Sequence, residues 1–178
     1  MLHGKTGKLV GLVFLCAVML NAISSYAEDN LLSNPGFEGK TKGWNLWGMD
    51  QPLVSTDAHT GKNSLQAHDI QGGYSSGAYQ WFKIEPGATY LFEGWVKAEA
   101  LDSEAWIEFQ WFDENNAIQI GDTVTSRGSE IITGSKDWTR LEIKVTAPPM
   151  AKVARVAFKV EGAKGFAYFD DAKVTIIK

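Results

Sequence analysis

Cysteine is nearly missing from this chain. Its one cysteine among 178 residues, Cys16, lies inside an apolar run close to the N-terminus, so no disulfide framework can support the rest. Stability must then come from packing or from a bound ion. Histidine is scarce as well: of three, only His59 and His68 lie beyond that run, which leaves little acid–base machinery. A basic surplus is also absent. The net charge is −4, and it becomes more negative once residues 1–27 are set aside, since these carry Lys5 and Lys8 but no acid. Nucleic acids select basic surfaces, so the balance argues against such a partner.

Long apolar runs are likewise lacking. The one candidate, Leu9 to Leu20, is about a dozen residues, too short for a comfortable membrane span. Lys5 and Lys8 precede it and Ser25-Tyr26-Ala27 follows, with small residues at the first and third places. This is the pattern of a secretory signal cleaved after Ala27. Cys16 follows Phe14 and Leu15 rather than a small residue, which speaks against lipidation. The expectation is a signal peptide over residues 1–27, one domain over residues 28–178, and a secreted or periplasmic protein with no membrane span after cleavage.

Helical periodicity is the last absence, and in its place stands alternation. Glu104 to Asp113 splits into two rows, because successive side chains of a strand point to opposite faces. Ala105, Ile107, Phe109 and Trp111 form an apolar row that predicts core. Trp106, Glu108, Gln110 and Phe112 mix aromatics with hydrogen-bonding groups and predict a surface that meets a ligand. The same pattern recurs elsewhere. Ala78, Gln80, Phe82 and Ile84 oppose Tyr79, Trp81 and Lys83; Tyr90, Phe92, Gly94 and Val96 oppose Leu91, Glu93, Trp95 and Lys97. Leu141, Ile143 and Val145 alternate with charges, as do Val156, Phe158 and Val160, and Tyr168 to Ile177 closes the chain. Shorter strands are expected at Leu31-Leu32, at Gly43 to Gly48, at Pro52 to Thr56, at Ser64 to Asp69 and at Ala117 to Thr125, with a polar loop over residues 126–137. About ten short strands punctuated by turn residues imply an all-β sandwich or jelly roll.

Six segments in order sharpen this: Asn34-Pro35-Gly36-Phe37-Glu38, Gly61-Lys62-Asn63-Ser64-Leu65, Glu85-Pro86-Gly87-Ala88-Thr89-Tyr90, Gly94-Trp95-Val96-Lys97-Ala98, Trp111-Phe112-Asp113, and Tyr168-Phe169-Asp170-Asp171-Ala172-Lys173-Val174. Together they resemble secreted carbohydrate-binding modules of the family 4, 9 and 22 type. The resemblance implies a galactose-binding-like β-jelly roll, and a module that commonly accompanies a glycoside hydrolase, so that such an enzyme acting nearby is an expected partner. It also implies one structural calcium near the chain ends. By motif its ligands would be the carboxylates of Glu38 and Asp170, with backbone carbonyls of Gly36 and of the loop from His59 to Lys62. Asp171 is the adjacent alternative to Asp170, turned the other way by strand alternation. Hard oxygens at flexible geometry suit calcium; the competing view makes Glu38 a solvated turn residue and Asp170 a strand-end cap.

Seven tryptophans are many to bury in so short a chain. The expected ligand face comprises Tyr79, Trp81, Glu93, Trp95, Trp106, Glu108 and Gln110, since indole and phenol faces match the C–H patches of sugars while carboxylates and amides match their hydroxyls. Trp44 and Trp47 form a second-choice platform, Trp138 and Trp111 are expected in the core, and Arg155 and Lys159 are either acid-sugar contacts or solvated charges. The functional expectation is non-catalytic binding of a polysaccharide or oligosaccharide of the cell-wall xylan or β-glucan class. The competing readings are an extracellular adhesion domain that meets polypeptide through the same patch, and a glycosidase using Glu93 and Glu108 as its carboxylate pair. Export is tested directly by mass spectrometry of the secreted protein: Glu28 should be the first residue, and an intact Met1 on exported protein would contradict the signal.

Overall fold

The alternating rows of residues 76–98 and 104–113 are realised as strands whose apolar sides meet in a shared core. The computed structural model describes residues 29–48, 53–68, 75–115, 125–127, 130–161 and 164–177. The expected signal segment and residues 117–124 of the expected strand lie outside the described residues. Among the described residues are nine strands and no helix: β1 (Asn45–Trp47), β2 (Leu53–Ser55), β3 (Ser64–Ala67), β4 (Ser75–Lys83), β5 (Thr89–Phe112), β6 (Thr125–Arg127), β7 (Ile132–Thr146), β8 (Val153–Glu161) and β9 (Phe166–Ile177). All pairs are antiparallel. The all-β jelly roll expected from the sequence is therefore the observed fold.

One strand organises the topology. The first half of β5 pairs with β7 and β9, while residues from Ala105 onward pair with β8 and β6. Register shifts against β7 between Val96 and Ala105 accompany the change of sheet, and Ala100 takes a positive φ of 49°. Bulges and bends are how a strand leaves one sheet for another. One sheet then runs β1-β4-β8-β5-β6 and the other β7-β5-β9-β3-β2.

Between them lie Tyr90, Phe92 and Val96 of the first half of β5, with Ile107, Phe109 and Trp111 of the second, all essentially buried. Phe158 of β8 stacks on Phe169 of β9 with centroids 4.9 Å apart, so the two sheets meet ring to ring. Gly94 is required beneath Phe158, because a Cβ there would stand 2.6 Å from the Phe158 ring. The N-terminal segment closes one end: buried Gln80 bonds both the N–H and the C=O of Ser33, and Trp44 stacks on Phe37 at 5.1 Å.

Several expectations are corrected. Leu31-Leu32 is not a strand, although the Leu31 N–H bonds the Val174 carbonyl. Part of the expected loop over 126–137 is strand, because β7 from Ile132 and β6 satisfy their backbone groups against β5 whatever their side chains. Trp44 is core rather than rim, and Trp138 is half-buried on an outer face rather than core. Trp106, expected to be exposed, is fully buried. It sits on an interior strand of its sheet, with the Lys159 ammonium 5.0 Å above its ring. Trp111, in the opposite row, is core as expected.

Truncation of Trp111 to alanine should cost about 3–5 kcal/mol of stability, as for other core aromatics. Trp81→Ala, at a side chain 39% exposed, should cost less than half as much. Paired chemical denaturation curves check the contrast, and equal losses would contradict the assignment of faces.

Candidate functional site

Strand register places five of the seven expected ligand residues on one outer face. Tyr79 of β4 lies opposite Ala157 of β8, which lies opposite Glu108 of β5; Trp81, Arg155 and Gln110 form the next row, and Gly77, Lys159 and Trp106 the previous one. β1 adds Trp47 beside Gly77. A cleft of about 340 Å³ opens here, lined by Trp47, Ser75, Tyr79, Glu108, Arg155, Ala157 and Lys159. Its floor is the small side chain of Ala157. Trp47 and Tyr79, with ring centroids 5.8 Å apart, make one wall, and Glu108 stands across from them.

The polar groups are held in place. Arg155 lies 5.2 Å from the Tyr79 ring, 5.5 Å from Trp81 and 5.4 Å from Phe112, and it donates from Nη2 to Oε1 of Gln110. Lys159 approaches Glu108 at 3.4 Å. The Trp47 indole N–H donates to Oγ of Ser75. Residues 73–77, Gly-Tyr-Ser-Ser-Gly, have the spacing of a serine nucleophile elbow, a motif that needs a strand-to-helix turn. Here Ser75 opens β4 instead, and among the described residues neither histidine bonds it.

Glu93 and Trp95 do not join this face. They belong to the first half of β5, which lies in the other sheet, and their side chains turn to its outer side. Glu93 pairs with Arg140. Trp95 stacks on His59 at 3.8 Å and 15°, and Trp138 meets the same imidazole edge-on at 5.7 Å.

Residues 57–63 cover that side, and here the expected metal ligands gather. Asp170 is fully buried; its Oδ2 accepts from the N–H groups of His59 and Thr60 at 2.8 and 3.2 Å. Glu38 accepts from the N–H groups of Lys62 and Asn63 at 2.7 and 2.9 Å, which holds its carboxyl below the ordinary value. Asp171 is not turned away. Between the Glu93–Lys173 and Trp95–Asp170 pairs β9 carries an extra residue, and Asp171 takes a φ of 46°. That bulge brings Asp171 onto the same loop, where it bonds His59 Nδ1 at 2.7 Å and the Thr60 hydroxyl at 2.8 Å.

Burial, joined by the neighbouring charge of Asp171, pushes the Asp170 carboxyl up to about 6 against three backbone hydrogen bonds that lower it. The charge of Asp171 also acts on Glu38. A Cβ on Gly36 would sit 3.5 Å from both aspartates, so that backbone adjoins them. Among the described residues no three His, Asp or Glu side chains form a metal cage; the shell would need the carbonyls of Gly36 and of residues 59–62. A crowded acidic cluster bordered by loop backbone fits a hard cation that prefers oxygen.

Ala157 and Ser75 line the cleft without having been expected there, Trp47 joins it from the second-choice platform, and Arg155 and Lys159 enter its lining rather than remaining solvated charges. The alternation of Arg155, Ala157 and Lys159 was visible, but not which strands would flank them.

Comparison with known proteins agrees with this architecture. The protein named "tRNA nuclease WapA" from Bacillus subtilis (strain 168) is 28% identical over 166 residues, covering 83% of this chain and 7% of that protein. The chain thus spans a small fraction of its curated relative. The CBM22-1 xylan-binding domain from Paenibacillus barcinonensis Xyn10C superposes with a TM-score of 0.62 at 20% identity, covering 85% of this chain and 97% of that one. TmCBM61, solved in complex with β-1,4-galactotriose, gives a TM-score of 0.60 at 20% identity over 84% and 99%. The carbohydrate binding domain model CBM_4_9 matches residues 29–165, and with most of its length so matched the chain belongs to this family of carbohydrate binding domains.

Proposed function

We propose that the cleft beside Ala157 binds a polysaccharide of the cell-wall xylan or β-glucan class, without turnover. The observation that carries this reading is the aromatic wall of Trp47 and Tyr79 facing Glu108 across a floor one methyl deep. A pyranose ring there would place C–H groups on the rings and hydroxyls toward the carboxylate. A xylan-binding domain and a module in complex with β-1,4-galactotriose, both similar in structure, support the class of ligand. Hydrolysis is disfavoured because Glu93 and Glu108, the carboxylates weighed as a catalytic pair, lie on the outer faces of opposite sheets and cannot flank one bond. An exported location accords with the charged start and apolar run of residues 1–27, and a glycoside hydrolase acting on the same polymer is the fitting partner. By isothermal titration against xylo- and gluco-oligosaccharides, Trp47→Ala and Tyr79→Ala should each weaken binding by about 1 kcal/mol, near fivefold. Glu93→Gln should leave affinity unchanged. Loss of binding in Glu93→Gln with retention in the two aromatic variants would contradict the cleft; measurable hydrolysis would contradict a binding role.

The loop over Glu38, Asp170 and Asp171 is proposed to hold one calcium ion, tying the segments near both ends of the domain to residues 59–62. Its contribution would be structural, replacing the cross-link that an export-competent chain without disulfides lacks. An ion that binds only the folded state stabilises it by about 2.7 kcal/mol at a hundredfold excess over Kd. Calcium should raise the melting temperature relative to chelator, and Glu38→Ala should remove most of that difference. Identical melting with calcium and with chelator would rule the site out.

A further inference from the structure

We infer that the cleft is specific for an acidic glycan, with Arg155 receiving the carboxylate of a uronic acid unit and Lys159 adding positive charge at the far end of the cleft. This rests on the cleft being the sugar site proposed above and adds the substrate's charge.

The pairing of cations in this protein is uneven. On the opposite sheet Arg140 pairs with Glu93 and Glu142, and Lys97 with Asp57 and Glu99, while Lys136 pairs with Glu130. The cleft does not follow this pattern. Among the described residues no carboxylate pairs with Arg155, whose Nη2 donates to the neutral amide oxygen of Gln110. Lys159 reaches Glu108 only at 3.4 Å. Among the residues lining the cleft, two cations stand against one carboxylate in a chain whose net charge is −4.

Placement and rigidity point the same way. Arg155 and Lys159 stand on the same face of β8 with Ala157 between them, roughly 13 Å apart along the strand. A sugar resting on Ala157 therefore has a cation at either end. Three aromatic rings confine the guanidinium, so little of its freedom remains to be lost on binding. A neutral sugar would be served by the aromatic wall and Glu108 alone, and would leave the guanidinium without a counter-charge. A carboxylate in the cleft accepts a charge-assisted hydrogen bond from the guanidinium and supplies the anion that the protein omits.

The test compares a uronic-acid-substituted xylo-oligosaccharide with the same oligosaccharide after reduction of its carboxyl to a hydroxymethyl group, by isothermal titration on the full chain. The acid should bind at least about tenfold tighter, as one charge-assisted pair allows. This advantage should shrink as salt rises, as for any partly exposed ion pair. In Arg155→Gln the ratio between the two ligands should fall to within about twofold; Lys159→Gln should narrow it as well, and serves where the arginine variant folds poorly. Equal or tighter binding of the reduced ligand by the unaltered protein would overturn the inference while leaving a neutral-sugar cleft. Binding of neither ligand would remove the sugar site itself.

Discussion

A strand has two faces, and β5 lies in one sheet for its first half and in the other for its second. Because the core must be fed from both halves, Tyr90 and Phe92 turn inward from one side while Phe109 and Trp111 turn inward from the other. Their polar companions are then sent to opposite exteriors. Glu93 and Trp95 emerge beneath the loop at residues 57–63, whereas Glu108 and Gln110 emerge in the cleft. This division separates the acidic cluster around Asp170 from the cleft over Ala157.

On the cleft face, the chemistry follows from which side chains lie in adjacent rows. Ala157 is small where its flanking neighbours are Tyr79 and Glu108, so a depression forms between an aromatic wall and a carboxylate. One row away, Arg155 is held by rings and an amide. The face is thus rigid, partly apolar and locally cationic. Those three properties suit a flat, hydroxylated, acid-bearing ligand. On the opposite exterior Arg140 is matched by Glu93 and Glu142, and Lys97 by Asp57 and Glu99.

Much of the fold was legible because alternation is local. The inward rows around Phe92, Ile107 and Phe158 could be read residue by residue, and the bracketing turns with them. Three kinds of fact were not legible. Sheet membership depends on long-range pairing, so nothing local told that Glu93 and Glu108 would face apart. Burial depends on what lies above a residue: Trp106 has the pattern of a surface aromatic yet is fully buried, with Lys159 of β8 over its ring. Bulges break the parity that alternation assumes. Asp171 was expected to turn away from Asp170, and one positive φ brings both onto the same loop. Among the ligand residues, those sharing β4 and the second half of β5 came together as read, while those of the first half did not.

Sugar binding on the β1-β4-β8-β5 face over Ala157 is what the rest of the functional reading depends on. The most direct measurement is a glycan titration followed by amide and indole NMR shifts in the folded protein. The account predicts that the Trp47 indole and the amides of Tyr79, Ala157 and Lys159 move together and saturate with one affinity, while the Trp95 and Trp138 indoles stay still. Shifts confined to Trp95, Trp138 and His59, with the Trp47 and Ala157 signals unmoved, would contradict it.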